Sequence, residues 1–232
     1  VGNPIMNITT MVLIVLGGLG FPVWWSIIKM LRERHRRHQT LPMVVHHLPL
    51  HTKMVLVVTF SLIVGGAFLV FILEYNNPDT LGSLPLWQKV QASFFQSVTT
   101  RTAGFLTISQ SGLRNATALI CCILMFIGGS PSGTAGGVKT TTVTILALTV
   151  ISIIRGRKDT EMFGRKINEN LVRRALSIFM VSFIVMLTAV IALAIVQKGA
   201  FIDCLYEVTS AIATVGLSRD FTTKLSVAGR II

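Results

Sequence analysis

Long apolar stretches separated by shorter polar segments dominate the chain. Five of them are apolar enough to span a bilayer, whose hydrocarbon core needs roughly 20 helical residues. Because a backbone surrounded by lipid must pair its polar groups internally, the pattern predicts an all-α membrane protein. The predicted spans are Met6–Ile28, Met54–Leu73, Leu113–Ile127, Thr141–Ile154 and Leu176–Val196.

Two further apolar stretches, Leu86–Val98 and Gly199–Ile212, are shorter. Each follows a span and an outer loop, and each leads into a segment that bears a glycine, Thr100–Phe105 or Ala213–Leu217. A short helix followed by such a loop is typical of a re-entrant element, since non-helical backbone at membrane depth must be buried in protein or face water. The chain is therefore predicted to use the order span, re-entrant loop, span twice.

The third and fourth spans lie on one continuous sequence of about 42 residues, which as a straight helix would measure roughly 63 Å. That is about twice the hydrocarbon thickness. Residues 128–142 in its middle read GGSPSGTAGGVKTTT, and glycine, proline and hydroxyl residues disfavour a helix. We expect a span broken by a flexible intramembrane loop. A phosphate-binding loop is not favoured, because Val138 separates Gly137 from Lys139 and no strand precedes the segment.

Composition and charge agree with a membrane protein that crosses the bilayer several times. Charged residues make up only 13% of the chain, and the mean hydropathy is +0.71. The net charge is +12, but 13 of the 21 Lys and Arg residues lie in the loops 29–53 and 155–175. Basic residues next to spans mark the cytoplasmic side. Both loops are therefore predicted to be cytoplasmic, and no nucleic-acid partner is expected.

Histidines and cysteines do not suggest a metal site or a disulfide. All five histidines lie in residues 29–53 without ligand spacing and without accompanying cysteines. Cys121, Cys122 and Cys204 are expected to be small packing residues.

An internal repeat links the two glycine-bearing segments. Residues 94–105 read FFQSVTTRTAGF and residues 206–217 read YEVTSAIATVGL, and they align with Gly104 on Gly216. Glycine lets a carbonyl turn inward without a Cβ clash, and inward carbonyls can replace the water shell of an ion. The repeat predicts an ion filter. Its candidate residues are Thr102, Ala103, Gly104, Thr214, Val215 and Gly216.

The chain resembles the membrane subunits of the Trk/Ktr/HKT superfamily of potassium transporters, most closely the bacterial Ktr and Trk types. The resemblance rests on FQSVTTRTAGF, IGGSPSGTAGGVKTTT, LGGLGFPVW, LHTK and TVGLS, which follow one another in the expected order and cover essentially the whole chain. It implies four potassium-channel-like units, each a helix, a pore loop and a helix, around one pore. This chain would be an internal fragment with an incomplete set: the end of unit two (1–53), unit three (54–175) and the start of unit four (176–232).

The resemblance also implies function, site and partners. It implies potassium uptake through a multi-pass bacterial cell membrane protein, with potassium bound only at the filter residues, no organic cofactor and no enzymatic activity. Expected partners are membrane lipid, a second copy in a homodimer and a cytoplasmic ring of nucleotide-binding regulatory subunits. The glycine-rich loop resembles the intramembrane gate of the family. Its candidate residues are Gly128, Gly129, Ser130, Gly133, Gly136, Gly137 and Lys139.

Two charged residues, Arg101 and Lys139, each have two candidate roles. Arg101 is expected either to pair with Glu207 or to point into the water of the outer vestibule, and its neutralisation is expected to impair folding or conductance. Lys139 is interpreted as a residue at the membrane boundary or as a pore plug.

Other functions remain as alternatives to a potassium pore. One is a carrier with inverted repeats and broken helices, and another is a relative that selects sodium. The basic loops give both repeats the same inside–outside–inside sense, which favours the pore over the carrier. A membrane-bound enzyme is disfavoured because no cluster of Asp, Glu, His or Cys residues occurs within the spans.

Overall fold

The computed structural model describes residues 3–37, 48–157 and 159–231. Within these residues, α-helices are accompanied by a short antiparallel hairpin, β1 Glu161–Met162 with β2 Arg165–Lys166, and by a 3₁₀ turn, Thr222–Lys224. Four of the five histidines lie at positions 35, 38, 46 and 47, outside the described side chains. The helices are α1 Pro4–Gly18, α2 Phe21–Arg37, α3 Leu50–Glu74, α4 Leu86–Thr99, α5 Asn115–Phe126, α6 Thr140–Ile154, α7 Glu169–Val196, α8 Phe201–Ile212 and α9 Val227–Ile231.

Within the described ranges, two helices are long and apolar enough to cross a membrane by themselves, α3 with 25 residues and α7 with 28. The two halves of the predicted broken span correspond to two shorter apolar helices, α5 and α6, on either side of the glycine-rich loop. The mostly helical, membrane-type fold predicted from the sequence is therefore confirmed.

The stretch Met6–Ile28, predicted as a span, is sharply bent. Two helices, α1 and α2, meet there at 97°. The bend falls at Gly20, whose φ of +80° is a left-handed conformation that favours glycine. A Cβ at this position would lie 2.5 Å from the Pro131 carbonyl oxygen, so the bend also makes room for the glycine-rich loop.

The two short helices share one buried core. α4 packs against α3, and α8 packs against both α5 and α7. A single apolar cluster includes Ala92 of α4, Met125 of α5 and Tyr206 of α8, each at most 1% exposed. Burial of apolar surface stabilises this arrangement. The core therefore brings the two aligned repeats side by side.

A buried acid at the end of α3 holds the outer loop in place. Glu74, the last residue of α3, is 0% exposed. One carboxylate oxygen accepts hydrogen bonds from Asn77 Nδ2 (2.5 Å) and Thr80 Oγ1 (2.6 Å). The other accepts from the Arg114 amide (3.0 Å) and from Thr117 Oγ1. This carboxylate thus ties the end of α3 to the start of α5.

Replacing Glu74 by glutamine is expected to destabilise the protein by about 3 kcal/mol, since hydrogen bonds to a charged group contribute roughly 1.5–3 kcal/mol each. In glutamine an NH2 group replaces one of the two carboxylate oxygens. This NH2 group, itself a donor, would face the two hydrogen-bond donors that the oxygen had accepted from. Thermal unfolding of the purified full-length protein measures the effect. Glu33→Gln, at an exposed position on α2, is the matched control. Equal melting temperatures for the two variants would contradict the assignment.

Candidate functional site

The two candidate filter segments, the first at Thr100–Phe105 and the second at Ala213–Leu217, share an unusual backbone conformation. Thr102 and Thr214 have φ values of 67° and 55°, and Gly104 and Gly216 have 75° and 86°. The left-handed region is natural for glycine but strained for a β-branched residue. Strain of this kind tends to persist only where the surroundings impose it, typically at functional sites. The aligned positions therefore agree in conformation as well as in sequence.

Hydrogen bonds fix the direction of the peptide groups. The amides of Ala103 and Gly104 both donate to the Thr99 carbonyl, at 3.1 and 3.4 Å, and the Val215 amide donates to the Ser210 carbonyl at 2.8 Å. In a trans peptide the carbonyl points opposite to the amide. The carbonyls of Thr102, Ala103 and Thr214 are thus directed away from the short helices that precede them.

The two segments approach each other closely. A Cβ on Gly104 would lie 2.2 Å from the Val215 carbonyl oxygen, closer than real side chains allow. In the second segment Thr214 and Gly216 are exposed while Val215 is 5% exposed. The structure thus brings all six predicted filter residues together at the ends of α4 and α8.

The glycine-rich loop is firmly held rather than an open coil. Ser130 inserts into the bend between α1 and α2, where its amide and its hydroxyl both donate to the Gly18 carbonyl, at 3.1 and 2.9 Å. The Phe21 amide donates to the Ser132 carbonyl at 3.3 Å. Where the loop closes, Ile127 and Val138 form a parallel bridge. In this conformation the glycine-rich loop, expected to be flexible, is therefore held by hydrogen bonds to the bend between α1 and α2 and by the bridge at its ends.

The loop also contacts the second filter segment. A Cβ on Gly136 would lie 2.2 Å from Thr214 Oγ1 and 2.4 Å from the Ala213 carbonyl oxygen. A Cβ on Gly128 would lie 1.8 Å from the Gly136 carbonyl oxygen. Glycine is required at both positions because backbone passes against backbone. Lys139 lies at the end of the loop, and its ammonium group donates to the Ala135 carbonyl.

Both expectations for Arg101 are wrong. The residue is 8% exposed, so it does not point into vestibule water. Its Nη2 donates to the Gly128 carbonyl at 3.4 Å, and its Nη1 has no partner among the described residues. Glu207 instead accepts from Ser218 Oγ at 2.9 Å and from Thr222 Oγ1. Arg101 therefore links the first filter segment to the glycine-rich loop, whose backbone supplies an acceptor closer than any carboxylate of the described residues.

Comparison with known proteins agrees with this architecture. The sequence matches the TrkH family, described as a cation transport protein, over residues 1–230. The chain belongs to the TrkH family. It is 37% identical over 232 residues to the Ktr system potassium uptake protein B of Bacillus subtilis (strain 168), covering 100% of this chain and 49% of that protein. It is 36% identical over 224 residues to the potassium/sodium uptake protein NtpJ of Enterococcus hirae, covering 95% and 47%.

A solved structure shows the same fold. The potassium transporter TrkH from Vibrio parahaemolyticus matches with a TM-score of 0.71 at 15% identity, over 93% of this chain and 44% of that chain. This TrkH-family chain spans about half the length of the curated relatives it matches. The family resemblance inferred from the sequence motifs is confirmed.

A buried polar network joins the two repeats behind the filter segments of the TrkH-family chain. Gln96 of α4 and Gln110 exchange hydrogen bonds of 2.7 and 3.0 Å. The Tyr206 hydroxyl of α8 donates to Gln110 Oε1 at 2.8 Å. All three side chains are at most 3% exposed. Sequence reasoning missed this network, although a glutamine within a short apolar helix was a usable signal.

An ion pair beside the second filter segment was also missed. Arg219 Nε lies 2.8 Å from Asp203 Oδ1, and its side chain is 8% exposed. Arg219 Nη1 also donates to the Leu113 carbonyl at 3.1 Å. These contacts anchor the chain that leaves the second filter segment to α8 and to the start of the broken span. Among the residues the structure describes, no cluster of three or more His, Cys, Asp or Glu side chains could hold a metal ion.

Proposed function

We propose that this chain forms part of a potassium pore in a bacterial membrane uptake system. In the structure, one observation carries the proposal: the two aligned segments share the left-handed conformation at Thr102 and Gly104 and at Thr214 and Gly216, with carbonyls turned away from the helices behind them. Such carbonyls replace the hydration shell of a potassium ion. The names of the relatives, potassium uptake protein B and potassium/sodium uptake protein, support the same ion class.

The short helices add an electrostatic contribution. α4 and α8 end at Thr99 and Ile212, immediately before the filter segments. The carboxyl end of a helix carries a partial negative charge, which stabilises a cation beyond it. The same order of long helix, short helix and filter segment in both repeats also disfavours a carrier with inverted repeats. The chain acts, in this proposal, by conduction and without a catalytic step.

The glycine-rich loop is proposed as the gate. It lies against Ala213 and Thr214 through Gly136 and against Arg101 through Gly128. A loop that touches both filter segments can block the ion path by its position alone. The basic loops would face the cytoplasm, where a ring of nucleotide-binding regulatory subunits would bind, and two copies would form a homodimer. The chain would supply the end of unit two, all of unit three and the start of unit four.

Gly216→Ser tests the filter assignment, because a Cβ at Gly216 meets no described atom within 4 Å and folding should survive. The φ of +86° still costs a non-glycine residue about 1–2 kcal/mol, so the segment relaxes and its carbonyls turn. We expect the ratio of potassium to sodium flux to fall about tenfold. The measurement is ion flux into vesicles that contain the full-length protein.

Gly65→Ser is the matched control for this experiment. Gly65 lies within α3, and a Cβ there also meets no described atom within 4 Å. Its selectivity should equal that of the wild type. Unchanged selectivity in Gly216→Ser would refute the filter assignment, and a wild type that prefers sodium would refute a potassium pore.

A further inference from the structure

A basic cavity lies where α6 ends and α7 begins. Its volume is about 250 Å³, and Thr149 and Ser152 of α6 form one wall. The loop between α6 and α7 and the first turns of α7 form the other walls. Three cationic side chains line it: Arg157, Lys166 and Arg173.

Of these three side chains, Lys166 forms an ion pair, whereas Arg157 and Arg173 form none among the described residues. Lys166 Nζ lies 2.6 Å from Asp159 Oδ1, and this contact raises the pKa of Lys166. Within residues 3–37, 48–157 and 159–231, no carboxylate lies within ion-pair distance of Arg157 or Arg173. Glu169, in the first turn of α7, is the remaining acid of the cavity wall. An anion bound here would therefore meet two guanidinium groups, which match the oxygens of a phosphate in pairs.

One side of the cavity continues into exposed apolar surface. Ile153 belongs to its lining and is 70% exposed, and the adjacent Ile154 is 78% exposed. On α7, Leu176 is 52% exposed. These exposed apolar side chains lie next to the cavity, on the surfaces of the helices α6 and α7. A ligand with a phosphate group and acyl chains satisfies both features, whereas free phosphate satisfies only the charge.

We propose that this cavity binds the phosphate headgroup of an anionic phospholipid of the inner leaflet. The side of the membrane rests on the proposed function, but binding itself does not. Basic pockets between membrane helices on the cytoplasmic side bind anionic headgroups in this way. The bound lipid would bridge α6, which begins directly after the glycine-rich loop, and α7, which leads to α8 and the second filter segment. It would hold the two helices at a fixed separation.

The test uses the purified full-length protein in detergent, titrated with short-chain phosphatidylglycerol and followed by native mass spectrometry. The double variant Arg157→Gln/Arg173→Gln should bind about 30-fold more weakly, since each basic residue near an anionic headgroup contributes roughly fivefold. The matched control is Arg155→Gln/Arg174→Gln. It removes the same charge from the same loop and helix, but neither residue lines the cavity. Control affinity should fall far less than that of the Arg157→Gln/Arg173→Gln variant, because charges beyond direct contact with the headgroup are screened by salt.

Each result has a definite meaning. Equal weakening in the two double variants would show general surface attraction and overturn the site. Absence of a bound lipid in the wild type would overturn it as well. Displacement of the lipid by equimolar inorganic phosphate would show that the cavity binds a soluble anion, and it would overturn the proposal of a lipid site. Because lipid is counted without any ion flux, failure of the potassium pore would leave these outcomes unaffected.

Discussion

Gly104→Ala is expected to abolish potassium transport and to lower the amount of folded protein. The added Cβ would lie 2.2 Å from the Val215 carbonyl oxygen, and the φ of +75° disfavours any L side chain. Overpacking costs about 1–3 kcal/mol and the left-handed backbone about 1–2 kcal/mol. The clash involves backbone on both sides, so neither segment can yield without turning its carbonyls. We expect a loss of flux of about 100-fold, measured by uptake of the full-length protein in vesicles.

Two glycines provide controls that separate clash from strain. Gly216→Ala introduces the strained backbone without a contact, because a Cβ there meets no described atom within 4 Å. It should fold normally and keep more flux than Gly104→Ala. Gly65→Ala lies in the interior of α3 and should leave flux unchanged. If Gly104→Ala and Gly216→Ala behaved identically, the close approach of the two segments would be refuted.

Arg101→Met is expected to keep the protein folded but to raise the resting flux of potassium. This replaces the loss of folding or conductance expected from the sequence, because the only described acceptor of Arg101 is the Gly128 carbonyl. Replacing a buried charge by an apolar side chain of similar volume is often neutral or stabilising. This guanidinium has only one described acceptor, the Gly128 carbonyl, so little stability should be lost. The glycine-rich loop would lose its link to the first filter segment. A hydrogen bond to a charged group contributes about 1.5–3 kcal/mol, which corresponds to at least about tenfold more flux in the absence of activators.

Arg114→Met is the control for Arg101→Met. It removes the same charge from an exposed position at the start of α5, while its backbone amide still binds Glu74. Its melting temperature and resting flux should match those of the wild type. Arg101→Met with normal folding and normal resting flux would refute the role of Arg101 in positioning the loop. A loss of folded protein in Arg101→Met alone would show that its role is structural.

The sequence alone was sufficient for the helical class and for the choice of a candidate site. Apolar length identified α3 and α7 because lipid imposes a minimum span on any helix. The density of glycine and proline at residues 128–137 identified the break between α5 and α6 because these residues disfavour helix wherever they occur. The aligned threonines and glycines marked two segments that share one unusual backbone conformation. Each of these signals depends only on residues that are close together in the sequence, so no knowledge of tertiary contacts is needed to recognise it.

Only the tertiary structure decided which groups meet. The bend of 97° at Gly20 depends on the glycine-rich loop that fills it, more than 100 residues later in the chain. Glu74 finds its donors at Arg114 and Thr117, and Arg101 finds its acceptor at Gly128. The sequence marks a buried charge as costly but does not name its partner, because hydrogen-bond partners are chosen by distance in space. Whether a segment is a helix or a loop is determined by the residues within it. The contacts between the candidate filter segments and the glycine-rich loop depend instead on how the helices pack.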